Sequence, residues 1–166
     1  SSVGTGFRAP SLAESFTSTA ASGISVRPNP NLKSETNYTV EAGMNYQPSE
    51  IFTFDASVFQ NEYSDFIEAN FKVDNAGNNF INFENVSKAR IQGYEINTTI
   101  NLFSGLLKTN LNYCYLWARD IEKNKSLKYR PRHLVYTGIE AIQWKMLFGI
   151  DFRYWSRVEE IDNELV

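Results

Sequence analysis

The sequence has little of what most metal-bound, disulfide-stapled or catalytic domains depend on. Among 166 residues there is one cysteine, Cys114, and one histidine, His133. A single cysteine excludes an intrachain disulfide and a multi-cysteine metal site. The simplest role for Cys114 is a small side chain on a strand. A lone histidine excludes a multi-histidine zinc site. No Ser or Cys stands near His133 in sequence, so a triad would have to be assembled in space, and a surface histidine at a strand end is the simpler reading. Basic charge is not in excess: 16 Lys and Arg face 19 Asp and Glu, for a net charge of −3. That excludes the basic surface a non-specific nucleic-acid binder needs. No apolar run approaches the roughly 18 residues of a membrane-spanning helix. Both ends also lack start and stop signals, with no leader after Ser1 and a final acidic loop, so both read as interior positions of a longer protein.

Aromatic and amide side chains are abundant instead. Three Trp, nine Tyr and twelve Phe make up 14% of the chain, there are 17 Asn, and 42% of residues are hydrophobic. Such a chain is too apolar to stay disordered. Its mean hydropathy of −0.37 reads, taken alone, as that of a soluble protein.

The dominant pattern is period two. In 36–46, Tyr38, Val40, Ala42, Met44 and Tyr46 fall on one face, with Asn37, Thr39, Glu41, Gly43 and Asn45 on the other. The same alternation runs through 52–61, 93–102, 108–117 and 145–155, and more weakly through 133–141. Alternating faces mean half-apolar β-strands. The connections alternate as well: long and polar at 10–33, 69–79 and 119–130, short at 47–50, 103–106 and 141–144. An up-and-down meander with short turns at one end and long loops at the other is the layout of an outer-membrane barrel. Aromatic residues cluster near strand ends (Tyr46, Phe52 and Trp144; Trp117, Tyr154 and Trp155), as interfacial belts would place them. A soluble β-domain, with its apolar face buried on a second sheet, shares the alternation and stays open at this point.

Motifs for other chemistry are weak. Gly4-Thr5-Gly6-Phe7-Arg8-Ala9 matches a dinucleotide fingerprint, but Pro10 follows and no helix is available to receive a pyrophosphate. Glu159, Glu160 and Asp162 form an acidic cluster that reads as a solvated loop, with divalent-ion binding as the alternative. The stretch 74–79 has turn composition without EF-hand spacing. Asn37, Asn85, Asn97 and Asn124 open Asn-x-Ser/Thr triplets, but Asn37 and Asn97 lie in strands. The survey supports neither an enzyme nor a resident metal or cofactor.

Several stretches resemble the TonB-dependent outer-membrane receptor family. Gly6-Phe7-Arg8-Ala9-Pro10-Ser11-Leu12-Ala13-Glu14-Ser15-Phe16 is similar to the family's Gly-Phe-Arg-Ala-Pro-Ser-Leu-x-Glu-Leu-Tyr segment. Asn29-Pro30-Asn31-Leu32-Lys33-Ser34-Glu35 resembles its Asn-Pro-Asn-Leu-Lys-Pro-Glu, with Ser34 in place of Pro. Glu41-Ala42-Gly43, the strand from Phe59-Gln60-Asn61 to Asp65-Phe66-Ile67, Asn85 with Ala89, Gly93 and Glu95, and Tyr129-Arg130-Pro131-Arg132-His133 follow in the family's order.

The resemblance implies an all-β fold: an antiparallel up-and-down meander of about seven strands, part of a 22-stranded transmembrane β-barrel. Residues 1–166 would form a partial barrel from the later half, with the plug domain and terminal strands absent. It implies an active transporter of the bacterial outer membrane that binds a scarce nutrient of the ferric siderophore, haem or cobalamin class. Import would be driven by TonB acting through the plug. Further partners would be outer-membrane lipid and lipopolysaccharide. A passive outer-membrane channel and a soluble carbohydrate- or protein-binding β-domain are the alternatives. Long loops would face outside, where Arg8, Phe16, Arg27, Tyr63 and Arg119 are the cationic and aromatic candidates for ligand contact. The parent gene is expected to encode a plug domain upstream and an aromatic-ended strand downstream; sequencing that finds only a soluble module upstream would overturn this reading.

Overall fold

The computed structural model describes residues 1–21 and 24–161. It is mostly strand, with a single short α-helix among the described residues. The elements are β1 (Ser2–Arg8), α1 (Leu12–Phe16), β2 (Thr19–Ala21), β3 (Ile24–Arg27), β4 (Glu35–Tyr46), β5 (Phe52–Val73), β6 (Asn79–Leu102), a 3₁₀ turn (Phe103–Gly105), β7 (Leu107–Asp120), β8 (Lys125–Ser126), β9 (His133–Gln143) and β10 (Met146–Trp155). One sheet runs β1-β4-β5-β6-β7-β9-β10, and each neighbouring pair on that path is antiparallel. This is the seven-strand meander expected from the sequence. β1 and β10 are the two edges, so the sheet is an open section of wall rather than a closed barrel.

Register explains the two faces. Directly opposed residues share a face, so Val40, Gln60 and Gln92 line up with Trp117, and Ala42 and Val58 with Tyr94, Tyr115 and His133. Two positions further down come Met44, Ala56, Ile96, Tyr113, Val135 and Tyr154. This outward face continues through Ile139 with Ile150 and Ala141 with Phe148. The opposite, inward face carries Asn37, Asn61, Asp55, Asn97, Asn112 and Asn110. From Tyr94 to Leu102 is about nine residues, the length of a tilted strand across the hydrocarbon layer. An upper aromatic girdle of Tyr94, Tyr113, Tyr115 and His133 packs ring on ring, with Tyr94 and Tyr115 stacked at 5.4 Å.

Gly93 is required by a close approach. A Cβ there would sit 2.0 Å from the Tyr115 carbonyl oxygen and 3.0 Å from Phe59 Cζ. Phe59, the one aromatic side chain on the inward row of 52–61, lies opposite Gly93 and covers the bare backbone.

Two expectations about boundaries are corrected. The polar stretch 69–79 is not a long loop: β5 and β6 pair continuously up to Val73 and Asn79, and only 74–78 form the turn. Outside a membrane neither face of a hairpin must be uniformly apolar, so polar composition did not break the strands. The turn expected at 141–144 lies at Trp144-Lys145, a two-residue hairpin with φ of 50° and 63°. Positive φ at both central positions gives the twist that hairpin strands need. Separately, Gly4 to Arg8 of the rejected nucleotide fingerprint at 4–9 lie in the edge strand β1, which the alternation did not reveal.

Among the described residues the buried hydrophobic side chains are Ile67, Phe71, Val86, Ala89, Ala118 and Leu127; Ala89, Ala118 and Leu127 form a small cluster with Tyr63, Phe66 and Ile91 packed on it. It lies inward, near the outer rim, under the loop that follows β7. Among the described residues no helix is long and apolar enough to cross a membrane. In the full barrel, Ile150→Arg or Phe148→Arg should cost roughly 2–4 kcal/mol near the midplane, and Asn112→Ala much less. Urea titration of folding into lipid vesicles checks this; equal costs would reverse the assignment of faces.

Candidate functional site

The outer rim is built by side chains that tie loops to strands. Arg8 ends β1 and stands opposite Glu35, the first residue of β4. Its Nε and one terminal nitrogen donate to the two Glu35 carboxylate oxygens at 2.8 and 3.2 Å, and its other terminal nitrogen donates to Glu14 at 3.0 and 3.1 Å. Glu35 also accepts from the Ile67 backbone N–H at 3.0 Å. One carboxylate thus joins β1, β4 and β5.

Glu14 belongs to a capping box. Ser11 Oγ accepts from the Glu14 backbone N–H, and the Glu14 carboxylate accepts from the Ser11 N–H at 2.7 Å. These reciprocal bonds satisfy two otherwise orphaned donors of a very short helix. Partial burial works against the Glu14 charge, but the bonds from Ser11 and Arg8 outweigh it and hold the carboxyl below its usual range.

The next segment is clamped to β6. Asn29 donates to the Phe83 carbonyl oxygen at 2.9 Å. The Asn85 side chain acts as a substitute peptide: its oxygen accepts from Lys33 N–H at 2.9 Å, and its nitrogen donates to the Lys33 and Asp65 carbonyls at 3.1 and 2.7 Å. Asp65 has φ of 54°, and the Asn85 bond fixes the carbonyl at that bend.

Above the rim stands the hairpin arm of β5 and β6. β3 adds to it in parallel, with Ile24 to Arg27 paired to Asn79 to Asn82. Asp74 closes the tip by accepting from the N–H groups of Ala76 and Asn78 at 3.0 and 2.9 Å. Arg27 forms an ion pair with Asp74 and lies 3.8 Å over the Phe80 ring. The backbone bond from Asn78 and the Arg27 guanidinium hold the Asp74 carboxyl down at about 2.

The five candidates from sequence are therefore not one cluster. Arg8 is bound to Glu14 and Glu35. Tyr63 lies on the inward rim opposite Asn37 and packs edge-on against Phe66 at 5.2 Å. Phe16, at the end of α1, is 66% exposed. Arg27 is at the arm tip. Arg119 is on the outward face, opposite Arg90. Register brings Arg8 and Tyr63 to neighbouring positions of the rim and leaves the other three apart.

An inward cleft of about 440 Å³, lined by Glu95, Asn97, Asn112, Tyr136, Arg153 and Trp155 among others, was not singled out in the sequence. Tyr136 donates there to Asp151 at 2.8 Å, and Arg153 lies 5.4 Å from the Tyr136 ring centre. Its signal is only the polar alternate positions of four strands, which no local motif marks. His133 shares a 2.8 Å hydrogen bond with Tyr113, and its backbone N–H donates to Ser156 Oγ. Among the described residues no three His, Cys, Asp or Glu side chains are placed to hold a metal. Glu159 of the acidic cluster is bound to Arg132 and accepts from Ser126, while Asp162 lies outside the described residues.

An open antiparallel wall with an apolar outer face, a polar inner face and loops fastened at one rim defines a section of a transmembrane β-barrel. The model of the TonB dependent receptor-like β-barrel family matches residues 1–164, and the chain belongs to that family, whose members are outer-membrane receptors. Among solved structures, the copper transporter OprC superposes with a TM-score of 0.72 at 21% identity, over 91% of this chain and 23% of that one. A mutant of the ferric enterobactin receptor from Pseudomonas aeruginosa, solved with enterobactin, gives 0.66 at 20%, over 94% and 25%. The hemophore receptor HasR from Serratia marcescens, solved with its hemophore and heme, gives 0.66 at 17%, over 92% and 29%. The chain thus spans about a quarter of the length of the structures it matches. No curated protein matches it.

The tip of the arm should respond to acid. Asp74 is more acidic folded than unfolded, where it titrates near its ordinary 3.8. Its contribution is therefore complete above about pH 4 and lost as the pH falls towards 2. Hydrogen-exchange protection of the Ala76 and Asn78 amides should be flat from neutral to mildly acid pH and disappear over that window; protection unchanged at pH 2 would exclude the carboxylate as the cause.

Proposed function

We propose that this chain forms part of the wall and outer rim of an active outer-membrane transporter. The transporter captures a scarce nutrient of the ferric siderophore, haem or cobalamin class. TonB, acting through a plug domain encoded outside residues 1–166, supplies the energy for import. The observation that carries this reading is the rim itself. The segment between β1 and β4 is tied to the wall by Arg8, Glu35, Asn29 and Asn85, which is what a receptor needs to present loop side chains to a ligand in fixed geometry. Family membership over nearly the whole chain supports it.

Of the five candidate residues, Phe16 is exposed at the end of α1 and Arg27 stands at the tip of the arm, where a ligand arriving from outside would meet them. An aromatic side chain and a guanidinium suit anionic, ring-bearing metal chelates. Arg8 and Tyr63 would act from the inward rim, and Arg119 from the outward side.

The test uses the full-length receptor. Tryptophan fluorescence would be titrated with ferric enterobactin, haem, cobalamin and cupric ion, and uptake of the one that binds would be followed with and without TonB. Saturable binding of one probe and TonB-dependent uptake are expected. Phe16→Ala and Arg27→Ala should each weaken binding about tenfold, as loss of an exposed anchor does. Steady ion conductance through the full-length protein in planar bilayers, with no saturable ligand, would instead make it a passive channel.

A further inference from the structure

The arm of β5 and β6 rises beyond the strands on either side of it. β4 begins at Glu35 and pairs no higher than Ser64 of β5, and β7 ends at Asp120, opposite Ala89 of β6. Past those points, among the described residues, β3 is the one strand that pairs with the hairpin. The arm also leaves the wall at a bend, where Asp65 has φ of 54°. An isolated two-stranded hairpin is only marginally stable, so the pose of the arm is set by what touches its sides.

One face of the arm is held by the segment before β4. Asn85 grips both polar groups of Lys33, and Asn85 stands opposite Ile67. Alternation puts Glu68 and Asn70, with their partners Glu84 and Asn82, on the other face. That second face is met by Lys128, from the loop between β8 and β9. Its backbone N–H donates to Glu68 Oε1 at 3.3 Å, and its Nζ donates to Asn70 Oδ1 at 2.7 Å. The Asn70 amide is oriented for this contact. Its nitrogen donates to Glu84 at 3.1 Å, which turns its oxygen to Lys128, and Lys72 holds Glu84 in an ion pair.

Lys128 is itself a fixed point. Leu127, on one side of it, is 2% exposed, packs with Ala89 and Ala118, and donates its backbone N–H to the Ala118 carbonyl at 3.0 Å. On the other side the Tyr129 N–H donates to the Glu160 carbonyl at 3.0 Å, and Pro131 bridges to Val158. A residue fastened to the wall through both neighbours, and to the arm through two donors, passes the position of one to the other. We propose that Lys128 is a positioning residue: it braces the arm on the face opposite the Asn85–Lys33 clamp, and the two together fix where the tip, with Arg27, stands above the rim. Without the brace the arm is held on one face and is free to swing away from Lys128. The purpose of that pose, presenting Arg27 to cargo, rests on the proposed receptor function; the brace itself rests on the contacts alone.

The test uses the full-length receptor with its native cysteines, Cys114 included, replaced by serine. Spin labels go on Ala76→Cys at the arm tip, paired in turn with Thr36→Cys on β4 and Arg157→Cys after β10, and electron–electron resonance reads both distances. With Lys128 in place both distributions should be narrow. Lys128→Ala and Asn70→Ala should each broaden them, and the double variant no further than either alone, as two ends of one contact behave. Lys128→Arg, which keeps a donor within reach of Asn70, should restore the narrow distributions. Lys123→Ala removes a cation of the same loop whose partner is Asp120, and should change nothing. Uptake is then followed with whichever of ferric enterobactin, haem, cobalamin and cupric ion saturates the wild type. Lys128→Ala should raise KM about tenfold at an unchanged maximal rate, as when the competent pose is populated about a tenth of the time. Distributions as narrow in Lys128→Ala as in its parent overturn the brace, and broadened distributions with an unchanged KM overturn its role towards cargo. If Lys128→Ala does not fold, Asn70→Ala decides both points. A wild type that none of the four probes saturates overturns the receptor reading, while the distances still decide the brace.

Discussion

The structure depends on one constraint: a strand inside hydrocarbon has no water to satisfy its backbone, so each N–H and C=O must find a neighbouring strand. The unbroken antiparallel path from β1 to β10 is the response to it. Sequential pairing with short turns at one end keeps every spanning strand beside the next. Pairing in strict register then aligns all outward side chains in rows, and those rows sort themselves into an apolar band with tyrosines stacked at its upper end. At Gly93 the Tyr115 carbonyl oxygen and the Phe59 ring approach too closely for a Cβ, and the aromatic ring supplies the cover that a Cβ would have given.

Beyond the membrane the constraint is lifted and another device takes over. Water competes for every backbone group there, so the loops are held by charged and amide side chains that make several bonds at once. Glu35 is the strongest case. It is almost buried, yet Arg8 meets it with two nitrogens and the Ile67 N–H adds a third donor. A buried carboxylate is tolerated only when its oxygens are satisfied in this way. Asn85 does the equivalent for neutral backbone, holding both polar groups of Lys33 and the carbonyl at the Asp65 bend.

Legibility in the sequence followed this division. Where one face meets lipid, the period-two pattern located β4, the lower half of β5, the lower half of β6, β7, β10 and, more weakly, β9. β1 escaped because Gly4 and Gly6 dilute its alternation, and the upper halves of β5 and β6 because outside the membrane no single face must be apolar. The rim was legible only as a resemblance. Arg8 is 27 residues from Glu35, and Glu35 is 32 from Ile67, so no local spacing announces their contact. Arg119 is the instructive case. Its place near a strand's outer end suggested ligand contact, but counting two residues on from Trp117 already puts it on the lipid-facing row. The alternation that revealed the strands also held the information about its side chain, and register with Arg90 makes that plain.

The fastening of the segment between β1 and β4 has a consequence for how such a protein can change. Arg8 and Glu35 lock its base, Ser11 and Glu14 cap its first turn, and Asn29 and Lys33 are pinned to β6. The stretch between Phe16 and Asn29 touches the wall chiefly through β3 lying along β6. Apart from that pairing and the Arg27–Asp74 ion pair, its anchors lie at its two ends, so its length and side chains can vary without disturbing the pairing of β1 with β4.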